Sequence, residues 1–108
     1  MQLPTEPGTI DDLVADAAAA GHQVSARLVR DWTELGLLDY PLRRPAGKGH
    51  GSKAALYTAN QRGLFLTLLS KRREAGSIRS LARIPVFTWM YFSDEHVPLR
   101  QTRRAFMT

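Results

Sequence analysis

Two short segments between Thr9 and Gly36, each opened by a hydroxyl-bearing residue and closed by a glycine, constrain this chain more than any other feature. Thr9 precedes Ile10-Asp11-Asp12, so its side chain can cap a helix whose first-turn carboxylates suit the positive end of the helix dipole. Ile10, Leu13, Val14 and Ala17 then recur at helical spacing, and Gly21 stands where a left-handed residue ends a helix near Ala20. After the turn Gly21-His22-Gln23-Val24, Ser25 is a natural cap for a second helix with Leu28, Val29, Trp32 and Leu35 on its apolar stripe, closed by Gly36. Two short helices joined so tightly form a helix-turn-helix candidate.

Beyond Gly36 the pattern changes. Leu37 to Tyr40 can leave as an extended segment and Ala54 to Tyr57 can return beside it, while Pro41, Pro45, Gly47, Gly49 and Gly51 forbid a helix between them. The expectation is a small two-stranded wing with a long basic loop. Thr58 caps a third helix to about Ala75, with Leu64, Phe65, Leu68 and Leu69 facing inward and Gly76 stopping it. Ser77 caps a fourth segment bearing Ile78, Leu81 and Ile84, which Pro85 ends or kinks. Val86 to Phe92 reads as a buried helix or a strand, and Val97-Pro98 opens a last basic helix.

Charge is segregated along the chain. Residues 1–39 hold seven acids against two arginines, or −5. Residues 40–73 hold no acid and eight bases, and residues 74–108 hold three acids and five arginines, so the parts sum to +5. A one-signed field of this kind concentrates polyanions, and neutralised phosphates release counterions. The acid-free stretch (Arg43, Arg44, Lys48, Lys53, Arg62, Lys71, Arg72, Arg73) follows the helix-turn-helix pattern directly, which is where a nucleic acid would sit.

Other chemistries find little support. With no cysteine there are no disulfides, thiolate metal sites or cysteine nucleophiles. No apolar run approaches the ~20 residues of a membrane helix, and the start lacks signal-peptide features, so a cytoplasmic, nucleoid-associated protein with no membrane partner is expected. Gly47 to Lys53 has the wrong residue order for a phosphate-binding loop. His22, His50 and His96 are far apart and lack a second ligand at helical spacing, so no metal or other cofactor is expected. Asp94-Glu95-His96 has no nucleophile partner and reads as a turn, and no enzyme is inferred.

Val24 to Leu38, followed after a loop by Ala55-Leu56-Tyr57-Thr58, resembles the DNA-binding domain of MerR-type transcription regulators, with their V-S-x-R-T-I-R-Y-Y-E pattern, G-L-L exit and winged hairpin. The layout is followed from about Ile10 to Ile84. The resemblance implies a mainly α winged helix-turn-helix, its second helix in the major groove and its wing on the backbone, with additional C-terminal helices. Residues 1–8 are then a loose arm, 9–84 the DNA-binding domain and 85–108 a C-terminal extension.

Arg27 and Arg30 match the two arginines of the motif, one able to reach a guanine edge and the other a phosphate, or else to pair with Asp31 and Glu34 on the surface. Ser25, Asp31, Thr33 and Tyr57 complete the expected contacts with Arg43, Arg44, Lys48, His50 and Lys53 of the wing. Asp31 stands for the first tyrosine of the pattern, Thr33 for its glutamate, and Lys53-Ala54-Ala55 for the wing's G-Y-R. Relatives continue into a long dimerising helix and an effector domain. Here about two dozen residues follow Ile84, so no small-molecule effector is expected. Trp89, Tyr91, Phe92 and Phe106 are either core or a homodimer contact, and Arg100, Arg103 and Arg104 make one basic face. The partner expected is double-stranded DNA, read by a regulator. The alternatives are an excisionase-like architectural factor or a protein-interaction module using the aromatic C-terminal segment.

Overall fold

The computed structural model describes residues 3–43, 54–92 and 96–108. Among them lie five helices: α1 (Ile10–Ala19), α2 (Ala26–Glu34), α3 (Ala59–Ala75), α4 (Ile78–Phe92) and α5 (Leu99–Phe106). The first four begin at the expected caps, Ser77 accepting from Ser80 N at 3.1 Å before α4. Thr9 and Asp12 form a reciprocal capping box, the Thr9 hydroxyl accepting from Asp12 N at 3.2 Å and the Asp12 carboxylate from Thr9 N at 2.8 Å. Those bonds, the backbone one foremost, hold the Asp12 carboxyl below its ordinary value. Ser25 accepts from Leu28 N and Thr58 from Gln61 N, while Gly76, left-handed at φ +73°, closes α3.

α1 packs against α2 and α3, α3 against α4, and α4 along α5. Leu13, Val29, Phe65, Leu68, Leu81 and Val97 are fully or almost fully buried at the centre. There the Trp32 and Phe65 rings meet edge-on at 5.7 Å.

The structure departs from expectation at Pro85, in the wing and in the N-terminal arm. The fourth segment does not break at Pro85: α4 runs unbroken from Ile78 to Phe92 with Pro85 inside it. Proline forgoes one ladder bond, but Leu81, Ala82 and Pro85 are all buried and α5 packs along the helix, and this packing offsets the loss. The 84/85 boundary therefore falls inside one helix.

The two-stranded wing is not present among the described residues, which contain no strand. Leu37 and Leu38 do not run out as a strand; both are buried, and both backbone N–H groups turn back to Trp32 O. Among the described residues antiparallel pairing is confined to isolated bridges, Leu42 with Leu56 and Gly8 with Tyr57. The loop 44–53 lies outside the described residues.

The N-terminal arm is tied to the body of the protein at Glu6 and Gly8 rather than loose there. Gly8 exchanges backbone hydrogen bonds with Tyr57 at 3.0 and 2.7 Å, and Arg62 donates to Glu6 O at 3.0 Å. No described helix is long and apolar enough to cross a membrane.

Candidate nucleic-acid interface

α2 divides cleanly into two faces. Val29, Trp32 and Thr33 are buried, while Arg27, Arg30, Asp31 and Glu34 point outward. Arg27 and Asp31 side chains are 88 % and 64 % exposed and approach to 4.0 Å, an i,i+4 pair worth about 0.3–0.5 kcal/mol. So loose a pair leaves Arg27 available to a stronger acceptor. Ser25, exposed at the helix start, spends its oxygen on the cap.

Two of the expected contact residues face inward. The Thr33 hydroxyl donates to Val29 O at 2.8 Å, which leaves the Tyr57 hydroxyl, 2.8 Å away, to donate to Thr33. Both residues are buried, and burial pushes the Tyr57 phenol above its ordinary value. They brace α2 against the 56–57 segment and leave little of their own surface for a nucleic acid.

Of the expected wing cations, Arg43 is described and exposed, while Arg44, Lys48, His50 and Lys53 lie outside the described residues. The residues flanking that segment are nevertheless positioned: Pro41, Ala54 and Ala55 line one cleft together with Arg30 and Glu34. Part of the exposed face of α2 and the residues flanking the basic segment therefore share a cleft.

Other cations have structural partners. Arg62 forms a bidentate pair with Asp16 at 2.8 and 2.7 Å, each side chain 16 % exposed. The Asp16 hydrogen bonds push the Arg62 guanidinium above its ordinary value. The expected basic face of α5 is also mostly engaged. Arg100 grips the buried Asp39 carboxylate, its Nη2 2.6 Å from Oδ2, and the Asp39 bonds raise its pKa. Arg104 lies 3.7 Å from Asp39, donates to Leu38 O at 3.0 Å and covers the Tyr40 ring at 4.1 Å, while its Nε is buried without a hydrogen-bond partner. Of the three, only Arg103 has no carboxylate partner among the described residues.

Nothing in the sequence announced this network. Asp39 N donates to Gln61 Oε1, Gln61 Nε2 to Gln101 Oε1 at 2.7 Å, and Gln101 Nε2 to Leu37 O at 2.8 Å. Three distant segments are thereby joined at the exit of α2. Gly36 completes the junction: it is left-handed at φ +85°, and a Cβ there would lie 2.4 Å from Ala105 N.

Of the C-terminal aromatics, Trp89 packs partly buried against the core, while Tyr91, Phe92 and Phe106 are exposed. Among the described residues no three His, Asp or Glu gather as metal ligands. No protein-family model, curated protein or solved structure matches this chain.

Proposed function

We propose that this protein is a DNA-binding regulator of transcription resembling the MerR-type winged helix-turn-helix, acting by docking. The observation that carries the reading is the exposed pair Arg27 and Arg30 on a helix capped by Ser25, with Pro41, Ala54 and Ala55, which flank the basic loop, in the same cleft as Arg30. In this reading α2 enters the major groove and the 43–53 segment follows the phosphate backbone.

The charges divide the labour. On the outer face of α2 the arginines Arg27 and Arg30 are matched by Asp31 and Glu34, so that face is neutral overall and supplies little non-specific attraction. Arg43, Arg44, Lys48 and Lys53 carry no compensating acid in their stretch. The segment therefore supplies affinity and α2 supplies discrimination, with Asp31 in place to accept from a cytosine amino group.

The test is selection from random duplexes across a salt series. Wild type should enrich one sequence. Arg27→Ala/Arg30→Ala should lose the enrichment while retaining much of the low-salt affinity. Neutralising the four cations of the segment should flatten the dependence of log K on log salt by roughly 3–4. A footprint over one palindrome supports a regulator; bent DNA coated cooperatively reassigns the protein as an architectural factor. No retention at low salt overturns the proposal.

A further inference from the structure

α4 and α5 bury one side against the core and leave a continuous apolar surface on the other. Phe87, Met90, Phe106 and Met107 are 52 %, 64 %, 76 % and 83 % exposed. Val86, Met90, Phe106 and Met107 line two adjoining clefts between the helices. Trp89 and Thr102 extend one of these, and Phe87 the other. Contiguous apolar surface of this kind marks a partner site, and methionines give it an adaptable floor.

The rim specifies the partner. Arg79 and Arg83 border one cleft and Arg103 the other, whereas α4 and α5 contain no Asp or Glu. None of these three arginines has a carboxylate partner among the described residues. A two-fold pair of this chain would set the patch against itself and bring two acid-free arginine rims together. A helix with an apolar ridge and flanking carboxylates satisfies floor and rim at once. We propose that the α4–α5 face is a docking groove for an acidic amphipathic helix of another protein. The proposal is independent of the DNA reading, since it uses neither α2 nor the basic segment.

The probe is a synthetic amphipathic peptide with Leu and Phe at i, i+3, i+4 and i+7 and Glu beside them, compared with its twin in which every Glu is Lys. Each is titrated, without DNA, into the isotopically labelled full chain. The acidic peptide should saturate and shift the amides around Val86, Met90 and Phe106, and the Lys twin should bind roughly tenfold more weakly or worse. Arg83→Glu/Arg103→Glu should reverse that preference; the sites are on the rim, and the reversal itself shows that the variant is folded. Equal binding of the two peptides, or shifts confined to other surfaces, would overturn the proposal. So would sedimentation showing self-association of the chain that Met90→Glu abolishes, which would assign the face to a second copy.

Discussion

α2 and α5 are two short helices that look alike on paper and do opposite things. Each carries arginines three or four residues apart on a polar face opposite a buried one. On α2 Arg27 and Arg30 project from the protein, and Arg27 has only a loose neighbour in Asp31. On α5 Arg100 and Arg104 converge on Asp39, a carboxylate only 5 % exposed, and Arg104 also binds the Leu38 carbonyl. One buried acid makes the difference. A charged group taken out of water must be paired, so Asp39 recruits the cations within reach and converts them from surface charge into structure. Arginine spacing reports which residues share a face; it does not report which of them are free.

The largest effect should come at the junction of the two helices. Gly36→Ala combines a left-handed backbone with a Cβ driven into the α5 backbone, and should cost about 3–4 kcal/mol in urea unfolding. Gly21→Ala is the control, equally left-handed at φ +88° but with nothing within 4 Å, and should cost about 1–2 kcal/mol. Equal losses would mean that α5 does not rest on Gly36.

Asp39→Ala should rank next, at about 2–3 kcal/mol by thermal unfolding, because it strands the mostly buried Arg104 and frees Arg100. The figure is below that for a fully buried pair because the Arg100 side chain is 61 % exposed.

Tyr57→Phe isolates the inner side of α2. Losing the bond to Thr33 should cost about 1 kcal/mol, with DNA affinity nearly unchanged. It also has a pH signature. Burial raises the folded phenol's pKa, so the native state keeps a proton that the unfolded chain gives up first. The resulting stability is fully present below the ordinary value of 10.0 and is lost as pH rises through the folded value, and the decline should be shallower in Tyr57→Phe.

The smallest change in stability, within about 0.5 kcal/mol, is expected for Arg27→Ala/Arg30→Ala, which should nevertheless abolish sequence preference on DNA. Arg100→Ala/Arg104→Ala should do the reverse, lowering the unfolding midpoint while leaving the preferred sequence intact. If both double variants behaved alike, the contrast between α2 and α5 would fail.

Much of the helical frame is legible because its signals are local. A cap is a bond between residues three apart, so Thr9, Ser25 and Thr58 announce their helices without reference to the rest of the chain. Pro85 misleads for the same reason: it is a local stop signal, overridden by burial and by a helix that packs on it from later in the chain. From the resemblance Thr33 and Tyr57 are expected at the surface, but a hydroxyl pair 24 residues apart in sequence turns both inward. The sequence by itself determined where α1, α2, α3 and α4 begin, the amphipathic face that α2 presents and the acid-free stretch that follows it, since capping, helical period and charge count are properties of neighbouring residues. Only the tertiary structure decided which cations remain free. Asp39 and Arg100 are 61 residues apart, and their pairing follows from the desolvation of a carboxylate that becomes buried only once α5 has closed over the exit of α2.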